Sequence, residues 1–125
     1  MITLPIHYTI KRKKKDKIIL VGMNWYRNSH YIESNIVKEA YHKMIKDLIG
    51  DQKFSKIIVE YKVYLQRKGT DGQNIRAVIE KFFLDGLVKA GTIKDDSADY
   101  VIGDSSQYFY DKKNPRIEIE IKEAT

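Results

Sequence analysis

The sequence predicts an α+β domain, a mixed β-sheet with two main helices in the order ββαβαββ. Three patterns carry this. Residues 56–66 alternate, with Ile57, Val59, Tyr61, Val63 and Leu65 on one face and Ile58, Glu60, Lys62, Tyr64 and Gln66 on the other, the period of a half-buried strand. Two segments, from Ser34 and from about Asn74, repeat apolar residues at helical spacing. The segment from Pro115 to Lys122 alternates again, Ile117, Ile119 and Ile121 against Glu118, Glu120 and Lys122. No Pro/Gly/Ser-rich linker divides residues 1–125, so one domain with both helices on one face of the sheet is expected.

Taken in order, Ile2 to Ile10 reads as a strand whose early proline marks an edge strand or a strand start. Ile18-Ile19-Leu20-Val21 is its partner, and the lysine cluster between them is the turn of a long hairpin. Asn24 to Tyr31 is polar and aromatic without period, and is expected to be a loop. The first helix starts with Ser34 as N-cap, pairs Ile36/Val37, Ala40/Tyr41, Met44/Ile45 and Leu48/Ile49, and stops at Gly50. The second runs from about Asn74 to Ala90, with Gly91 just beyond its end. Strand-like pieces follow at Tyr100-Val101-Ile102 and Tyr108-Phe109-Tyr110.

Composition narrows the function classes. Without cysteine there is no disulfide, thiolate metal site or Cys nucleophile. No apolar run approaches the ~20 residues that span a bilayer, and the positive cluster follows the first apolar stretch, the reverse of a secretory signal. A soluble, cytoplasmic protein is the expectation. The net charge of +6 is concentrated: Lys11, Arg12, Lys13, Lys14, Lys15 and Lys17, with Asp16, carry +5, and the remaining 118 residues total +1. A polyanion is the natural partner of such a loop, because basic side chains near phosphates release condensed counterions. A solvated hairpin tip that serves solubility is the other reading.

Candidate chemistry lies between Asp71 and Asp96. With Asn74 at zero on a helical wheel of about 100° per residue, Lys81 falls near −20° and Asp85 near +20°. These three form a polar stripe bordering the core face of Ile75, Ile79, Phe82, Phe83 and Gly86. Asp71 stands before the helix, and a turn after Gly91 would return Asp95 and Asp96 to its side. Carboxylates converging with a lysine suit Mg²⁺, which prefers oxygen ligands and keeps waters. Such an ion activates water and neutralises charge on a phosphate under attack, while a lysine stabilises the leaving oxygen. The same residues also read as an i, i+4 surface ion pair, a cap and an acidic turn. Trp25 reads first as a core plug. Tyr26 is open between core and a wedge stacking on unpaired bases. His7 and His42 read as surface or strand residues, and nothing supports a zinc site.

The stretch Asp71-Gly72-Gln73-Asn74, Lys81, Asp85-Gly86-Leu87, Gly91, Asp95-Asp96 resembles the RusA-type Holliday-junction resolvases, including phage and prophage members. Their pattern is approximately D-x-D-N, a helical lysine, D-[AG]-L and an acidic pair after a glycine. Asn24-Trp25-Tyr26-Arg27-Asn28 is similar to the family's N-terminal loop, and Asp111 to Arg116 with the strand after it also fits; the likeness runs from about residue 20 onward. The resemblance implies a homodimeric endonuclease of DNA recombination and repair that makes paired nicks in branched DNA with Mg²⁺ or Mn²⁺. It implies Asp71, Lys81 and Asp96 as catalytic residues and Asp71, Asp85, Asp95 and Asp96 as metal ligands. DNA contacts are expected from Lys11, Arg12, Lys13, Lys14, Lys15, Lys17, Tyr26, Arg27, Asn74 and Arg76. Gln73 departs from the pattern, standing where the family has a second acid, and an amide brings no charge to a divalent ion. The interval from Asn74 to Lys81 is about one helical turn longer than in the family. A non-catalytic DNA- or partner-binding module with the same fold is the alternative.

Overall fold

In a computed structural model that describes residues 1–124, the chain runs β1 (Ile2–Leu4), β2 (His7–Ile10), β3 (Lys17–Leu20), α1 (Met23–Asn28), α2 (Tyr31–Ile49), β4 (Ile57–Leu65), α3 (Gly72–Lys89), β5 (Val101–Tyr110) and β6 (Arg116–Glu123). This is an α+β fold with a mixed sheet and three helices. The main sheet has the order β1-β6-β4-β5, and β2 and β3 form a separate hairpin. β4 pairs antiparallel with β6 and parallel with β5. A parallel neighbour needs a crossover connection, and α3 provides it.

The alternation of β4 appears directly in its packing: Ile57, Val59, Tyr61, Val63 and Leu65 are all buried. Ile117, Ile119 and Ile121 lie opposite Val63, Tyr61 and Val59 and extend the same apolar face. On α3 the buried residues are Gly72, Ile75, Val78, Ile79, Phe82, Phe83, Gly86 and Leu87; α2 contributes Val37, Tyr41, Ile45 and Ile49. Phe82 lies edge-on to Tyr26 with centroids 5.9 Å apart, and 5.7 Å from the ring of Tyr41. Gly72, in the first turn of α3, lies beneath the ring of Tyr108 on β5. A Cβ at Gly72 would sit 2.4 Å from Tyr108 Cδ1, so only glycine admits this approach.

The expected elements, in the order ββαβαββ, are corrected in five places. The first strand divides at Pro5: Ile2, Thr3 and Leu4 pair with β6, whereas Ile6 O accepts the Val21 N–H at 2.8 Å and leads into the hairpin. A proline that cannot donate to a ladder marks the change of sheet. Residues 23–28, expected as loop, form the short helix α1. α2 begins at Tyr31 rather than after Ser34, because His30 is the N-cap and its Nδ1 accepts the Ile32 N–H at 3.2 Å. Only the second member of two expected apolar pairs is buried; Ile36 and Leu48 are about half exposed, while Val37 and Ile49 are covered. Finally, the two strand-like pieces after residue 99 are one continuous β5.

Phe82→Ala removes a ring on α3 that packs against Tyr26 of α1 and Tyr41 of α2 and leaves a cavity in its place. Equilibrium unfolding in urea is expected to show a loss of about 3–5 kcal/mol.

Candidate nucleic-acid interface

α1 and the foot of the hairpin are tied to α2 by one carboxylate. Glu33 Oε2 accepts the Trp25 indole N–H at 2.9 Å and a Lys17 ammonium hydrogen bond at 3.2 Å; Oε1 accepts from Arg12 Nη2 at 3.0 Å. The Glu33 side chain is only 14% exposed. The Trp25 hydrogen bond, ahead of the two cations, holds its carboxyl below the ordinary value, against the opposing effect of burial. This hub explains why a six-residue helix with no buried residue of its own persists. Trp25 packs on the core, as the sequence suggested, and Tyr26 joins it there against Phe82. Tyr26 is only partly buried there.

The ion pairs sort the basic cluster. Lys11 pairs with Asp16 at 3.0 Å, and Arg12 and Lys17 pair with Glu33. Lys13, Lys14 and Lys15 are exposed at the tip and have no ion pair among the described residues. Arg27 is likewise exposed on α1.

Asp71 is the N-cap of α3, its Oδ1 accepting the N–H groups of Gln73 at 3.1 Å and Asn74 at 3.3 Å. Such a cap satisfies two otherwise unpaired helix donors. Gln73 thus lies within the first helical turn rather than in a preceding turn. Asp71 and Asn74 open onto a cleft of about 420 Å³ whose other walls include Lys17, Gly22, Asn24 and Trp25. Three separate stretches singled out in the sequence, the hairpin, the Asn24–Trp25 segment and the Asp71–Asn74 cap, meet around this cleft. Thr70 and Gly22 also line it; neither residue type carries a signal that sequence reading could have used. Glu33 was missed as well, because no local spacing links it to Trp25 or to the hairpin.

The remaining acids do not join Asp71. A wheel gives angle but not height: at about 1.5 Å per residue, Lys81 stands ~15 Å and Asp85 ~21 Å along α3 from Asp71. Asp95 and Asp96 follow the far end of α3, near the start of β4, whereas Asp71 follows the end of β4. A nine-residue strand of roughly 3.3 Å per residue separates them, about 30 Å. Accordingly, no group of three His, Cys, Asp or Glu able to hold a metal occurs among the described residues. Within one chain the rise of α3 thus holds Asp71 and Asp85 apart. Lys81 is exposed, and it forms no ion pair with Asp85 among the described residues.

Arg76 faces a different side of α3. It lies about 200° around α3 from Asn74, where Nη1 pairs with Glu80 at 2.7 Å, both side chains less than a quarter exposed. Burial raises the carboxyl of Glu80 above its ordinary value, opposed by Arg76. His42, read as a surface residue, is half-buried between α2 and α3, with Cδ2 close to where a side chain at Gly86 would begin. Burial lowers its pKa. No helix is long and apolar enough to cross a membrane among the described residues. No protein-family model matches the chain, and no curated protein matches it.

Because the Glu33 carboxyl is held below its ordinary 4.5, its contribution to stability is present above pH 4.5 and is lost as the pH falls through the lower folded value. Trp25 is the only tryptophan. Its fluorescence is expected to shift in that acid window in the wild type, and to be already shifted at neutral pH in Glu33→Gln.

Proposed function

We propose that the protein is a RusA-type endonuclease that nicks branched DNA as a homodimer, using Mg²⁺ or Mn²⁺. The observation that supports this best is the cleft at which the foot of the basic hairpin at Lys17, α1 and the Asp71–Asn74 cap meet. In this reading Lys13, Lys14, Lys15 and Arg27 hold the phosphate backbone, and Asn74 contacts DNA beside Asp71. Phosphate contacts of this kind position a duplex without reading its sequence.

The donor set of one chain does not fit a divalent ion. Asp71 offers one oxygen already engaged as a cap, Gln73 offers an uncharged amide, and Asp95 and Asp96 lie at the other end of α3. An ion held by both Asp71 and Asp96 would need these acids from two different copies. The binding-module reading draws on the same facts: with no three gathered ligands among the described residues and Gln73 in place of an acid, the chain is suited to holding DNA without cutting it.

Two measurements separate the readings. Purified protein incubated with four-way and linear DNA is expected to nick the junction in Mg²⁺ or Mn²⁺ and to be silent in chelator. Asp71→Asn and Asp96→Asn proteins, each inactive alone, are expected to recover nicking when mixed and allowed to exchange subunits. Junction binding without cleavage in either ion would select the binding module. Separately, replacing Lys13, Lys14 and Lys15 by Gln is expected to lower the log–log salt slope of duplex binding by about 0.9 per lost phosphate contact. An unchanged slope would remove the hairpin from the interface.

A further inference from the structure

The main sheet has two edges, and they differ. β1 contributes only three residues, too short to recruit another strand. β5 contributes ten, VIGDSSQYFY, with neither lysine, arginine nor proline among them. Natural sheets guard long edges with charge, proline, a bulge or a covering element. Here the only charge is Asp104, the one register shift lies at the strand's start beside Ile57 and Ile58, and β5 is the last strand in the sheet order. Ile102, Phe109 and Tyr110 are 46%, 39% and 55% exposed.

The backbone shows which groups await a partner. Asp111 N–H donates to Leu65 O at 2.8 Å, so the odd-numbered residues of β5 turn their amides toward β4. Asp104, Ser106, Tyr108 and Tyr110 therefore turn theirs outward. Their side chains share the helix-covered face with Val59, Tyr61, Val63 and Leu65, while Gly103, Ser105, Gln107 and Phe109 share the open face with Ile58, Glu60, Lys62 and Tyr64.

We infer that the free edge of β5 pairs antiparallel with β5 of a second copy of this chain, about a two-fold axis at Ser106. A two-fold normal to the sheet keeps the helices of both copies on one side, so facing residues must come from the same face of the strand. Two registers then engage nine residues. Centred on Ser106, the pairing sets Asp104 against Tyr108 of the partner subunit, Ile102 against Tyr110 of the partner subunit, and Gly103 against Phe109 of the partner subunit. No like charges meet, two apolar exposed side chains cover one another, and a bare glycine lies beneath an aromatic ring, the arrangement that rescues edge glycines. Centred on Ser105 instead, Gly103 meets Gln107 and Tyr110 overhangs the partner strand. The outward amides of the four even residues from Asp104 to Tyr110 all find acceptors in the Ser106 register, because hydrogen-bonded pairs fall on even positions. The result is one continuous eight-stranded sheet across the pair. This names the surface of the homodimer in the proposed function, yet it rests on strand geometry and holds whether or not the protein cuts DNA.

Sedimentation velocity is the test. The wild type is expected at twice 14.7 kDa. Ser106→Pro removes an N–H that β4 does not use, and is expected to give the 14.7 kDa species with an unchanged far-ultraviolet circular dichroism spectrum. Should that variant misfold, the open face gives a second route, since Ser105 lies opposite Gln107 of the partner subunit. Ser105→Lys/Gln107→Lys is expected to shift the protein to monomer, and Ser105→Lys/Gln107→Glu to restore the dimer. In the wild type the amides of Ser106, Tyr108 and Tyr110 are expected to be protected from hydrogen exchange. A monomeric wild type overturns the inference, as does a dimer in which both the lysine pair is tolerated and those amides exchange freely. Loss of nuclease activity with the dimer intact would count against the function alone.

Discussion

The fold depends on β4 having two different neighbours. Its buried row, Ile57 to Leu65, must be covered by helices, and its two edges are taken by β6 running against it and β5 running with it. The parallel partner cannot be reached by a tight turn, so the chain must cross the sheet from the end of β4 to the start of β5. α3 is that crossing. Its length matches the strand, which is why its two ends, and the acids beside them, stand on opposite edges of the domain. The location of every candidate residue on α3 follows from this one constraint.

The second ordering element is electrostatic. Glu33 accepts hydrogen bonds from three groups on α1 and the hairpin, Arg12, Lys17 and Trp25, in a setting where water reaches it poorly. A carboxylate in that position would be costly if unpaired. Paired with Arg12 and Lys17, it ties the hairpin foot to α2 and leaves the tip lysines uncompensated. The protein thus divides one basic run into a structural half and a solvent-facing half, a division that net charge alone conceals.

What sequence reading recovered and what it missed follow from range. The alternation of β4 and β6 and the αL glycine after α3 (Gly91, φ 78°) are local signals, and they were legible. α1 was not: Met23 to Asn28 is too short for a period, and its order comes from Glu33 on another element. The division of the first strand at Pro5 was half visible, since proline announced an irregularity without saying that the chain would change sheets. The acidic residues are spread along α3 for a different reason. Angular phase placed Asn74, Lys81 and Asp85 on one stripe, but axial rise separates Asp71 from Asp85 by four turns. Glu80 was overlooked and Arg76 was read only as a DNA contact, because their pairing beside Tyr61 and the β5 residues Asp104 and Tyr108 exists only once the sheet has formed.

The pairing of β1 with β6 has a consequence for synthesis. Ile2 and Leu4, both buried, find their partners at Ile119 and Ile117, the first strand in the sequence against the last. Translation at about 5–20 residues per second puts roughly 6–20 s between the emergence of the two strands. During that interval the β2–β3 hairpin and α2 can form from nearby contacts, but Ile2 and Leu4 have no place to go. A nascent chain therefore carries the apolar segment Ile2–Leu4 without its partner until β6 has left the ribosome. That segment is where a chaperone that reads short hydrophobic stretches would engage.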